Sequence, residues 1–536
     1  MMMMMTTTTT CKLYILLLAI FSLVTAYPDA PTILTVKQGV FCSPVERSWS
    51  HPEKSYIKLV PDAVASQKQI KGLIFHYYDI VNFTSVPILE VFAQLYPKEK
   101  KNLYGQMLKE DGSFNLDPAE GYNVDKSKIW SGSIDKEVKF EIPSTGIYCV
   151  YIAPPADTDE DEDQAQAQFK IPVVFKNSYG NLSYTYYLIY SLLKFSIPAG
   201  LVIFAGLFNY VLRFKIGKDF QNMDSLSVIS KAVIFLVLCP LIAVSILQWF
   251  VFFLVNNFLE TCQKSFIINF LSFVAQFASM SFHVFVAYMT LLFSMGFGVI
   301  YYYNGNSRNY RLFPQQSFRK ISGFLFLNIV LLFVLLVMNS FIGSKNTNYL
   351  IGIGDSTVNN KNSFVGFITL LAGLFSLVWV ILPMVFYFKT KKTIATFPPA
   401  PDAESTDKVV SAFRKSFLVI YVLPILTAIL AGAIVGVLSA QYMLNMPQFP
   451  PNTERALVYA SAQAMWIIEN SLKSVMLPLF TTSLFYSFGF IIILFFIWIK
   501  DNNGLIVDRN ANDPIEYANV PNFEISDGED EENIRV

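Results

Sequence analysis

Three histidines occur in the 536-residue chain, and only one of them, His283, lies within a long apolar run, MSFHVFVAYM (280–289). Gln276 and Ser279 stand one or two helical turns before it. An imidazole at membrane depth is expensive, which makes it a candidate for moving a proton or an ion. The competing reading is a neutral ring hydrogen-bonded to a neighbouring helix. Glu469 and Lys473, four apart in MWIIENSLKS (465–474), can pair on one helix face. They form either a structural ion pair on a rim helix leading into the last apolar segment, or the lining of a polar entrance. Together with His283 they are the intramembrane polar candidates. The chain has no HExxH, no GxxxxGK[ST], no GxSxG and no Cys/His cluster at zinc spacing. The residues therefore point to no enzyme, and no cofactor or metal is expected.

A second group of residues closes the chain, in EYANVPNFEISDGEDEENIRV (516–536). Tyr517 and Val520 bracket a Tyr-x-x-bulky pattern, which an extended peptide can present to two pockets. Ser526 precedes Asp527, Glu529, Asp530, Glu531 and Glu532, a setting that an acid-directed kinase favours. A phosphate there would add about −1.5 to −2 charges to the patch. The plainer reading of residues 501–536 is a disordered, solvated acidic tail. Which reading applies depends on the side of the membrane on which the tail lies.

Topology follows from composition. The chain is 53% hydrophobic and 15% charged, against about 25% charged in soluble domains. Its net charge of zero gives no case for nucleic acid as a partner. Lys12, the apolar stretch YILLLAIFSLVTA (14–26) and small residues near Ala26 describe a signal peptide over 1–26. The apolar stretch is too short for a bilayer core, which needs about 20 residues; an uncleaved anchor is the alternative. Seven apolar segments follow, at 186–212, 228–255, 266–302, 321–343, 363–388, 416–442 and 475–499. The first, third and fifth loops between them hold thirteen basic residues and the other three hold five. Basic loops stay cytosolic, so residues 27–183 face the lumen and the tail faces the cytosol.

Residues 27–183 alternate short Val-, Ile-, Tyr- and Phe-rich stretches with turns: TILTVKQGVF, SYIKLV, KGLIFHYYDIV, EVKFEI, GIYCVYIA and FKIPVVF. This predicts an all-β sandwich, followed by a seven-helix transmembrane domain over 184–500. Both sequons, at Asn82 and Asn181, fall in the sandwich and mark candidate glycosylation sites. Cys42 and Cys149 lie in the same region, where an oxidising lumen favours a disulfide between them. Cys239 is expected as a buried free thiol in a helix, and Cys262 has no evident partner. The acidic stretch PPADTDEDEDQAQAQ (154–168) is expected to be a solvated loop, with weak calcium binding as the sharper alternative. Prolines 198, 240, 383, 424 and 478 interrupt five of the seven segments and suit a bundle with a central cavity. Gly432-Ala-Ile-Val-Gly436 is a GxxxG face, for packing inside the bundle or for dimerisation.

Three stretches carry a family likeness. STGIYCVYIA (144–153) resembles the Gly-Tyr-Tyr-Cys strand of the lung seven-transmembrane receptor family, also called GOST (Golgi-localised seven-transmembrane) proteins. MTLLFSMGFGVIYY (289–302) resembles the family's Leu-Leu-x-Ser-x-Gly-Tyr-Gly-Val ending of the third helix, with Phe297 in place of tyrosine. QGVFCSPVERSW (38–49) is similar to the family's first luminal cysteine region. The layout is closest to fungal PTM-type members, although IKDNNGLIVD (499–508) stands where many members have Trp-Arg-Pro. The resemblance implies a GOLD-like luminal sandwich, Cys42 and Cys149 as the luminal pair, Golgi or endosomal residence, and a role in vesicle-mediated traffic. Its partners would be luminal protein cargo or a ligand, and cytosolic coat adaptors. An ion or small-solute pathway through the bundle is the alternative function. A G-protein-coupled receptor is less favoured, since the third segment lacks Asp-Arg-Tyr and the seventh lacks Asn-Pro-x-x-Tyr.

Overall fold

The computed structural model describes residues 33–35, 39–67, 70–89, 106–153, 170–215, 226–259, 265–302, 311–343, 359–395, 404–449 and 454–499. The signal region, the acidic stretch, Cys11, Cys262 and the tail with Tyr517, Val520 and Ser526 lie outside them.

The N-terminal part is the expected sandwich. Its strands are β1 (Ile33–Leu34), β2 (Val40–Val45), β3 (Tyr56–Leu59), β4 (Lys71–His76), β5 (Trp130–Ser133), β6 (Val138–Glu141), β7 (Gly146–Ala153) and β8 (Ile171–Lys176), and a short helix, α1 (Ala63–Gln67), lies between β3 and β4. They form two antiparallel sheets, ordered β1-β8-β3-β6 and β2-β7-β4-β5. All eight residues of β7 are buried. Alternation along the strand explains this. Tyr148, Val150 and Ile152 point into the core between the sheets, with Ile57, Leu59, Ile74 and Val173. Ile147, Cys149, Tyr151 and Ala153 point the other way, into a second core with Phe75, Tyr77 and Phe83. Cys42 is the direct cross-strand partner of Cys149, and the two form a disulfide. The sequence separation is 107; a loop of that order gives about 4–5 kcal/mol in the chain-entropy model.

Two sequence expectations need correction here. KGLIFHYYDIV is not one strand. It leaves the sheet after His76 and winds into a 3₁₀ turn, Tyr77–Asn82, which buries Tyr77 and Ile80 at the i,i+3 spacing of that helix. The chain then covers the outer face of the β2-β7-β4-β5 sheet. Strand β5 belongs to no stretch picked out by sequence; its WSGS residues carry too little apolar pattern.

Seven helices are long and apolar enough to cross a membrane: α2 (Tyr184–Tyr210), α3 (Val228–Phe258), α4 (Phe266–Ser294), α5 (Gln315–Gly343), α6 (Asn359–Ala395), α7 (Glu404–Leu444) and α8 (Ala456–Trp498). Each packs on its neighbour in sequence, and α8 returns to α2, so the helices close into a ring. Pro240 lacks an amide hydrogen, and the turns just before it, Val233–Leu238, are π-helical, with Cys239 N donating to the Ile234 carbonyl five residues back. The apolar run 266–302 is not one helix. The helix stops at Ser294 because Gly296 and Gly298 adopt φ of +93° and +79°. Thr390 Oγ1 donates to the Ser294 carbonyl at 2.7 Å and caps that end. The GxxxG face is also not packed inside the bundle: a Cβ on Gly432 or Gly436 would meet nothing within 4 Å.

Candidate functional site

The helix α8 has 43 residues, about 65 Å at 1.5 Å per residue, whereas a bilayer core is about 30 Å thick. The N-terminal excess packs against the β domain. Tyr459, Ala462 and Met465 complete the core under the outer sheet face, beside Tyr77, Val81 and Phe83.

Polar contacts fix this seam. The Tyr77 and Ser461 hydroxyls, 384 residues apart, lie 2.6 Å from each other and are buried. Arg455, just before α8, donates from Nη2 to the carbonyls of Val81 and Phe83 at 2.8 and 2.9 Å. Its guanidinium stands 5.5 and 5.6 Å from the ring centres of Tyr122 and Tyr459, within cation–π range. Burial, and then the contact of its hydroxyl with Tyr459 at 3.5 Å, push the Tyr122 phenol up to about 12. Nearby, burial raises the Asp79 carboxyl above its usual range; Lys128 opposes the shift and Asp125 adds to it.

Glu469 belongs to the same seam. Its Oε2 lies 3.9 Å from His76 Nε2, at the end of β4. Thus one member of the sequence-predicted pair faces a histidine of the β domain; the Lys473 side chain lies outside the described residues. Glu469, Glu46, Gly146, Tyr179 and Tyr184 line a recess of about 20 Å³, room for a single water.

A second seam ties the β domain to the first hairpin of the bundle. Asn177 accepts from Glu46 N at 2.8 Å and donates to the Leu182 carbonyl at 2.9 Å. Asn256, near the end of α3, donates to the Tyr179 carbonyl at 2.7 Å and accepts from Leu182 N at 3.2 Å. Gly180 (φ +134°) makes this possible, because a Cβ there would fall 2.3 Å from the Asn256 amide oxygen.

His283 lies elsewhere, midway along α4. Its Nδ1 is 2.7 Å from the Ser279 carbonyl, so this hydrogen bond runs along its own helix rather than to a neighbouring one. The bundle does contain a cavity, of about 270 Å³, between α3, α4, α7 and α8. Phe293, Leu494 and Trp498 are among its lining residues, so it opens at the end far from the β domain; Lys231 is the one charged residue among them. His283 and Glu469 do not line it, and the structure does not bring these two together.

Asn82 ends the 3₁₀ turn and is half-buried. Asn181 is only 8% exposed, within the second seam. Cys239 is a half-buried free thiol in α3.

The sequence placed Glu469 on a rim helix leading into the last apolar segment but gave no sign of what that helix packs against, because its partners in the β domain are hundreds of residues away. Neither a protein-family model nor a curated protein matches the chain. The fold and its seams define a multi-pass membrane protein whose two-sheet β domain is clamped onto the outer end of the seventh helix.

Proposed function

We propose that the chain is a Golgi or endosomal sorting protein of the lung seven-transmembrane type. Its β domain would face the lumen and bind protein cargo or a ligand, and its cytosolic tail would carry the Tyr517/Val520 and Ser526 signals to coat adaptors. What carries this reading is α8. One continuous helix is docked at its outer end to the β domain through Tyr77–Ser461 and Arg455. Its inner end, Trp498, is buried and donates to Ser416 Oγ at 2.7 Å, just before the tail begins. Such a rod would join a cargo domain directly to a coat-binding tail. The alternative of an ion pathway gains less support, since the cavity is lined mainly by apolar side chains and the polar candidates stand apart.

The tail test is the Tyr517→Ala, Ser526→Ala double variant at native expression. It is expected to move the protein from Golgi and endosomal membranes to the cell surface or vacuole. A wild-type distribution would reduce the tail to a solvated end.

A further inference from the structure

Strand β2 runs toward the bundle. Its outer residue Val40 pairs with Tyr151, and its last residue, Val45, pairs with Gly146. The next residue, Glu46, lines the recess together with Tyr184, the first residue of α2. Ser178 N donates to the Glu46 carbonyl at 3.0 Å, and Ser55 Oγ donates to the same carbonyl at 2.9 Å. Strand β3 then starts at Tyr56 and runs back. The loop Arg47–Lys54 therefore lies at the end of the sandwich that faces the start of α2, and both of its ends are pinned there.

That tip is a built turn. Ser48 Oγ accepts from Ser50 N at 3.3 Å and lies 3.0 Å from Ser50 Oγ, which leaves Trp49 between them at the apex. Arg47 is held by its backbone amide on Thr145 Oγ1 at 3.0 Å and by its guanidinium on the Pro143 carbonyl. Trp49 is 103% exposed. An indole standing free in water is costly, whereas the bilayer interface suits its apolar body and polar N–H. Aromatic residues line the entry into α2: Tyr179 stacks on Tyr187 at 3.7 Å, and Tyr190, six residues into the helix, stacks on Trp249 at 6.4 Å. Lys194 lies 4.1 Å above the Tyr190 ring, one turn deeper. Aromatic belts and lysines reaching back toward the surface mark a membrane–water boundary. Arg47 and Lys54 flank Trp49 and are exposed, as cations facing lipid phosphates would be.

We propose that the Arg47–Lys54 loop is a membrane-surface anchor, with Trp49 seated in the headgroup layer of the leaflet on the β-domain side. The anchor holds the sandwich down on the bilayer at a third point, beside the α8 seam and the Asn256 seam.

The test uses the full chain in lipid nanodiscs. The emission lost on Trp49→Phe isolates Trp49 from the other five tryptophans, and the swap leaves folding intact because the side chain is fully exposed. Lipids brominated near the top of their acyl chains are expected to cut that difference emission by roughly two-fold or more, as for an interfacial indole. A difference emission quenched by aqueous iodide but untouched by brominated lipid places the loop in water and overturns the proposal. Emission shielded from both quenchers places Trp49 against a protein, such as a second copy of the chain, and overturns it equally.

Discussion

Asp79 shows what a single side chain contributes to the junction. Burial raises its carboxyl above the usual range, so its charged form costs stability in the folded state. A group with a raised folded value adds stability below its unfolded value, near 3.9 for aspartate, and loses it as pH climbs through the raised value. Asp79→Asn keeps an amide oxygen for the Asn82 Nδ2 contact at 3.4 Å. The variant is expected to melt higher than the wild type at neutral pH and to approach it as pH falls below about 3.9. Melting curves that stay parallel across that window would place Asp79 in water. The residue-level signals in the sequence fared unevenly for physical reasons. Cys42 and Cys149 were legible because cysteines on one side of a membrane have few possible partners. Trp49, His76 and Arg455 were not, since their meaning lies in what stands beside them in space.

At the level of elements, α8 is the piece that joins the domains. A double-mutant cycle on Tyr77→Phe and Ser461→Ala tests the docking. The 2.6 Å contact is buried, so each single change strands a hydroxyl or removes one, and the coupling is expected to be about 1 kcal/mol in the unfolding free energy. Strict additivity would mean that the helix end is not docked. Strands and helices were largely readable because burial writes a period of two or of 3.6 into the chain. The reading failed where that rule is overruled. The apolar run after Ser294 kept its hydrophobicity past the helix end, because Gly296 and Gly298 stop the helix through backbone sign and not through polarity. The segment Tyr77–Asn82 keeps strand composition but coils to serve a second core.

For the whole molecule, orientation is the decisive property. The excess of basic residues in alternate loops predicts a β domain on the luminal side. A glycosidase-sensitive mass shift that disappears on Asn82→Gln is the expected outcome, with no further loss on Asn181→Gln, because Asn181 is buried in the seam. Cleavage of the β domain by protease added outside sealed vesicles would reverse the topology. The order of synthesis adds a final consequence. The core beneath the outer sheet face is closed by Tyr459, Ala462 and Met465, almost three hundred residues after the last strand of the sandwich ends at Lys176. At about 5–20 residues per second, a ribosome needs roughly 15–60 s to cover that stretch. Throughout that interval the nascent β domain displays a greasy, unfinished face. A chain broken anywhere before Arg455 keeps that face uncovered permanently.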